Sequence, residues 1–131
     1  MALRFVTHLM FDGGAEEAMN FYVSVFENAR VLDAQRYGSD ESGMEGKLRV
    51  GSFSLGDSEF MCIDTPVKHD FTFTPSMSIF VDCESPAELE RVFAALSEGG
   101  EVFMPLDDYG FSRRFGWTND RFGVSWQVNL P

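Results

Sequence analysis

Cysteine is scarce: Cys62 and Cys83 are the only two among 131 residues. Two thiols do not make a disulfide scaffold. Each sits in an apolar, strand-like run, so both read as buried and reduced, and neither has a cationic neighbour in sequence to activate it. Basic residues are also few, with 10 Lys and Arg against 21 Asp and Glu, a formal net charge of −11. Nucleic acid and anionic membrane surfaces recruit clustered cations and are therefore excluded as partners. Histidine occurs only at positions 8 and 69, and no HxH or CxxC spacing is present. No apolar run approaches the ~20 residues of a membrane span. The start, Met1-Ala2-Leu3-Arg4-Phe5, lacks an apolar segment followed by a small-residue cleavage site, so no secretion signal is read. These absences together predict a cytoplasmic protein.

What is abundant is bulky apolar side chain. Hydrophobic residues make up 44% of the chain, with 14 Phe and seven Met. Numbers alone favour a thick aromatic core, since most aromatics are buried. A lined pocket, with adaptable Met walls, is the other use of such a composition.

Patterning predicts one domain over residues 1–131, α+β in class, with a repeated element order. Residues 3–11 alternate as a strand. Asp12-Gly13-Gly14 is a turn before a helix in which Ala18, Phe21, Tyr22 and Val25 recur at helical spacing, ending near Asn28. Strands follow at 30–37, 47–55 and 58–64, the last two joined as a hairpin across Gly56-Asp57. After a connector from Thr65 to Pro75 the order returns. A strand at 76–83 precedes Ser85-Pro86-Ala87-Glu88, which reads as N-cap serine, first-turn proline and capping-box glutamate. Leu89, Val92, Phe93 and Leu96 form the apolar stripe of the second helix, Gly99-Gly100 ends it, and strands follow at 101–104, 111–118 and 123–129. The implied duplication is a β-α-β-β-β module, about 1–66 and again about 75–131. Two open mixed sheets, with a helix on the outer face of each, could close as a half-barrel around a cleft.

Three segments carry a resemblance. They are His8-Leu9-Met10-Phe11-Asp12-Gly13-Gly14-Ala15-Glu16-Glu17-Ala18-Met19-Asn20-Phe21-Tyr22, Ser97-Glu98-Gly99-Gly100, and Gly116-Trp117-Thr118-Asn119-Asp120-Arg121-Phe122-Gly123-Val124-Ser125-Trp126-Gln127. In this order they resemble the PhnB-like branch of the vicinal-oxygen-chelate (glyoxalase/bleomycin resistance/dioxygenase) superfamily, nearly end to end. The resemblance implies paired β-α-β-β-β modules, commonly in a homodimer, and a pocket for a small molecule. Members often carry the name 3-demethylubiquinone methyltransferase. Methyl transfer from S-adenosylmethionine usually uses a glycine-rich strand-to-helix turn in a doubly wound sheet. Asp12-Gly13-Gly14 is too short and acidic for that and reads as a cap, so that activity is not expected.

In metal-dependent members of the superfamily, side chains from four strands converge on a divalent ion. Carried over by position, these fall on His8, near Met61, near Ser76, and on Gln127. Methionine and serine are poor ligands for hard or borderline divalent ions. Only the vestigial positions His8 and Gln127 remain, so no cofactor and no tight metal is expected, and at most weak divalent binding. Strand parity puts Val6, His8 and Met10 on one face, as it does Ser76, Ser78 and Phe80, and Ser125, Gln127 and Asn129. These are either pocket linings or the solvent face of a half-buried sheet. The resemblance tips the reading toward a pocket, with His8, Met10, Met61, Ser76, Ser78 and Gln127 against the ligand.

Residues 107–117 alternate aromatics with Arg113 and Arg114. They read as a lid that brings Tyr109, Arg113 and Trp117 to the ligand, an arginine holding an anionic group. Equally, the arginines could pair with Asp107, Asp108 or Asp120 at the surface. The functional expectation is a small-molecule binding protein, or an enzyme of unassigned reaction, that lacks a complete metal site. The alternative is a metal-dependent lyase, isomerase or dioxygenase whose missing ligands come from elsewhere.

Overall fold

The computed structural model describes residues 1–131. The chain is α+β and divides into two compact units, Met1–Asp70 and Phe71–Pro131, each with the element order β-α-β-β-β.

In the first unit β1 (Thr7–Phe11), α1 (Ala15–Val25), β2 (Ala29–Arg36), β3 (Leu48–Leu55) and β4 (Ser58–Asp64) build a sheet of order β1-β4-β3-β2. β1 runs parallel to β4, and the other pairs are antiparallel. The α1 stripe is Ala15, Ala18, Met19, Tyr22 and Val25; Leu9, Phe11, Phe53, Phe60 and Cys62 of the sheet are buried with it, and the Tyr22 and Phe53 rings lie 6.1 Å apart. Phe21, expected within this stripe, is only half-buried, as is Phe26 just after the helix. The helix stops at Val25 rather than near Asn28, because Phe26 is already extended. No side chain of its own N-cap holds the start of α1. Gly14 sits there at φ +81°, and the Asp64 carboxylate, reaching back from the end of β4, accepts from the Ala15 N–H at 2.9 Å and the Leu48 N–H at 3.0 Å. A helix N-terminus favours such an anion. Glu16 and Arg36 pair across α1 and β2, and that hydrogen bond holds the Glu16 carboxyl below its ordinary range.

The second unit repeats the plan with β5 (Ser78–Asp82), α2 (Pro86–Ser97), β6 (Glu101–Asp107), β7 (Arg114–Asn119) and β8 (Ser125–Leu130), in the order β5-β8-β7-β6. Here the cap is the one read from sequence. Ser85 accepts from the Glu88 N–H at 3.2 Å, and Glu88 in turn accepts from the Glu84 N–H at 2.8 Å. Leu89, Val92, Phe93 and Leu96 are buried against Trp126, Val128 and Leu130. The two glycines after α2 have different reasons: Gly99 adopts φ +75°, and a Cβ on Gly100 would lie 2.0 Å from the Asn119 carbonyl oxygen.

Several boundaries differ from the sequence reading. The first strand begins at Thr7, not at residue 3, and Met1, Leu3 and Phe5 are exposed. β5 begins at Ser78, since Ser76 and Met77 belong to a turn closed by the Met77 N–H bonding to the Thr74 carbonyl. β6 runs on to Asp107 through register shifts, and β7 starts only at Arg114.

Candidate functional site

Each unit turns one sheet face toward its helix and leaves the other uncovered by it. On the first unit's second face, His8 and Met10 of β1 stand beside Met61 and Ile63 of β4, since the register pairs His8 with Met61 and Met10 with Ile63. Ser52 of β3 is the next partner of Met61. His8 is exposed, and Met10 and Met61 are half-buried. The His8 imidazole makes no hydrogen bond or ion pair within the chain. His69, the other histidine, is half-buried in the connector.

On the second unit the corresponding face is aromatic and amide-rich. Gln127 sits on the central strand β8 with Phe80 of β5 as its partner on one side and Trp117 of β7 on the other. Above and below it on β8 lie Ser125 and Asn129. Trp117 donates its indole N–H to the Ser125 hydroxyl at 2.9 Å, and Ser125 and Ser78 share a hydrogen bond of 2.7 Å. Asn129 donates to Asp82 at 2.8 Å and accepts from Ser112 at 2.5 Å. The Gln127 amide bonds to nothing in the chain. Phe103 tilts against Trp117 with ring centroids 4.9 Å apart, and Phe80, Tyr109 and Phe111 gather around Phe115 at 6.3, 6.1 and 5.0 Å. At the edge of the polar row, Asn119 Oδ1 is buried without a hydrogen-bond donor.

The position of this face is set by the turn between β7 and β8. Buried Asp120 accepts from the Phe122 and Val124 N–H groups at 2.8 and 3.0 Å and from the Trp126 indole at 2.8 Å. That pins Trp126 under α2 and so fixes Ser125 and Gln127 on the opposite face.

The segment expected to be a lid divides. Tyr109 lies in the loop before β7 with its hydroxyl on the Pro105 carbonyl at 2.6 Å, whereas Trp117 is part of the sheet floor. The arginine pairings are also different from those expected. Arg114 pairs with Glu90 of α2 at 2.7 Å, on the helix face, and Arg113 donates to the main-chain oxygen of Pro131 at 2.6 Å. Asp107 and Asp108 accept instead from nearby backbone N–H groups, and Asp120 serves its own turn. Ser76 lies outside β5, exposed, with its hydroxyl 2.7 Å from that of Thr74. Ser78 is the residue of that pair on the sheet. Phe103, Phe115 and Asn119 were not singled out from sequence; the register of β7 against β8 is the signal that brings the last two into the row. One open cavity of ≈ 600 Å³ lies at the start of β1, lined by Arg4 to Thr7 and Asp57 to Phe60, and contains none of the predicted site residues.

The donors needed for a divalent ion do not fit these positions. No three of His, Cys, Asp and Glu are grouped so as to hold a metal. His8 has a thioether as its cross-strand neighbour, and Gln127 has two aromatic rings. Both cysteines face helices rather than these surfaces. Burial, and after it the nearby Asp64, pushes the Cys62 thiol up to about 12; burial, and after it Glu88, pushes Cys83 up to about 11. No helix is long and apolar enough to cross a membrane.

Paired β-α-β-β-β units of this kind are the vicinal-oxygen-chelate fold. A glyoxylase/bleomycin resistance protein/dioxygenase domain from Frankia sp. EAN1pec shares that fold with a TM-score of 0.69 at 11% identity, over 99% of this chain and 98% of its own. Residues 3–129 match the model of the 3-demethylubiquinone-9 3-methyltransferase family, and the chain belongs to that family, in its PhnB-like branch. It is similar to the PhnB protein of Bacillus cereus, provisionally described as a 3-demethylubiquinone-9 3-methyltransferase, with 48% identity, a TM-score of 0.94, and 98% and 99% of the two chains covered. A protein of Pseudomonas aeruginosa is 31% identical with a TM-score of 0.86, covering 98% of each chain. No curated protein matches it.

Proposed function

We propose that the protein binds a small, neutral, planar molecule on the aromatic face of its second unit, without transferring a methyl group and without a tightly held divalent metal. The observation that carries this reading is Gln127, whose free amide stands between Phe80 and Trp117. A flat ring gains stacking contact from the aromatics, and the amide offers both a donor and an acceptor to ring oxygens. Anionic groups find little here. Arg114 is on the other face, Arg113 is engaged by the main-chain oxygen of Pro131, and Asp82 adds a carboxylate to the site.

The family description names a demethylated ubiquinone, and a short-chain benzoquinone has the neutrality and flatness this face favours. It is the natural probe. Methyl transfer lacks support on the chain's own terms, because the first N–H of α1, that of Ala15, is already taken by the Asp64 carboxylate, which puts an anion at the helix start that follows the turn. A homodimer is part of the same proposal. Each sheet has two edge strands, β1 and β2 or β5 and β6, and open edges call for cover.

Titration with the benzoquinone, followed by tryptophan emission, tests the reading. Gln127→Ala is expected to weaken binding by about tenfold, the cost of one hydrogen bond of ~1.4 kcal/mol, and Arg113→Ala to leave it unchanged. Equal binding by the parent and Gln127→Ala would refute the assignment. Protein purified without chelator is expected to hold no stoichiometric zinc, nickel, manganese or iron.

A further inference from the structure

The first unit carries a donor set of a different kind. His8 and Met10 are two residues apart on β1, on one face, and Met61 stands directly across from His8 on β4. Neighbouring strands lie about 4.8 Å apart and alternate residues about 6.6 Å apart along a strand. One imidazole and two long, flexible thioethers therefore rise from a small triangle of backbone. All three reach solvent, His8 most of all. Ile63, the partner of Met10, adds an apolar side. The carboxylate two residues before Met61 belongs to Glu59, which Arg4 engages in an ion pair. Cys62 points to the opposite face, beside Met19.

The same substitutions that spoil the face for hard or borderline divalent ions suit a soft one. Thioethers select Cu(I), imidazole also binds copper, and carboxylates, which harder ions require, are otherwise engaged. We infer that His8, Met10 and Met61 form a three-donor site for a soft monovalent ion, Cu(I), with Ag(I) as its redox-inert substitute. The inference does not rest on the proposed quinone-type ligand, which is assigned to the other unit's face.

The test is anaerobic titration of the full chain with Cu(I) against the chromogenic competitor bicinchoninate, with a parallel Ag(I) titration followed by NMR of ε-methyl-labelled methionine. One equivalent is expected to bind. The Met10 and Met61 methyl signals shift and that of buried Met19 does not. His8→Ala and Met61→Leu each weaken binding by more than about tenfold, since even outer-sphere changes at metal sites cost that much, while their melting curves stay those of the parent. Zn(II) shifts neither methyl. The site is overturned if Ag(I) leaves Met10 and Met61 unshifted, if either variant binds as the parent does, or if Cu(I) binding is lost only on replacing Cys62 and Cys83 by alanine.

Discussion

The indole N–H of Trp117 ends on the hydroxyl of Ser125, 2.9 Å away on the next strand. Ser125 is 1% exposed and also bonds to Ser78, so three strands of the second sheet are tied at one hydroxyl. Ser125→Ala leaves the Trp117 donor without this acceptor and is expected to cost about 1–2 kcal/mol. Urea unfolding measures the loss. Trp126, fully buried under α2, is the only other tryptophan, so a change in native-state emission reports Trp117.

Asp64 is the anion at the N-terminus of α1 and a bracket for β3. Replacing it with alanine orphans two N–H groups, those of Ala15 and Leu48. A loss of about 3 kcal/mol is expected, and a smaller one for Asp64→Asn, which keeps an acceptor. Chemical denaturation of both variants checks the order. Equal stability of Asp64→Ala and the parent would show that these bonds do not hold the helix.

The cysteines predict a pH dependence with a definite sign. Both folded thiols lie above the ordinary value of 9.0, at about 12 and about 11. Below pH 9 they are neutral folded or unfolded and contribute no slope. Above it the unfolded chain loses protons that the folded chain retains, so stability falls as pH climbs from about 9 toward 12. Replacing Cys62 and Cys83 by alanine should flatten that part of the curve. In native protein at pH 8, neither thiol should react readily with a disulfide reagent.

Static light scattering at micromolar concentration checks the proposed dimer. The expected mass is twice the 14.8 kDa of one chain. A mass of one chain at that concentration would remove the dimer from the account.

Much of the fold was legible because local signals and tertiary packing agree. The α2 stripe of Leu89, Val92, Phe93 and Leu96 and the Ser85 cap are local patterns, and the structure keeps them unchanged. The cap of α1 was hidden because its acceptor is Asp64, 49 residues away. Strand parity correctly separated His8 and Met10 from Leu9 and Phe11, and Gln127 from Trp126 and Val128, because a two-residue period needs no knowledge of partners. What parity cannot give is register. Without the β7–β8 pairing the sequence reads Trp117 as part of a lid and gives Phe115 and Asn119 no place on the face. The partner of Arg114 is hidden for a related reason: Glu90 lies 24 residues earlier, on α2.

In the proposed function Gln127 and the rings beside it receive the ligand. The most direct measurement is a nitrogen-15 NMR titration of the labelled protein with a short-chain benzoquinone, observing the Gln127 side-chain amide and the two indole N–H signals. Large shifts are expected at Gln127 and Trp117 and almost none at Trp126, which lies under the helix and bonds to Asp120. Unmoved Gln127 and Trp117 signals at saturating probe, or shifts confined to residues around α2, would contradict it.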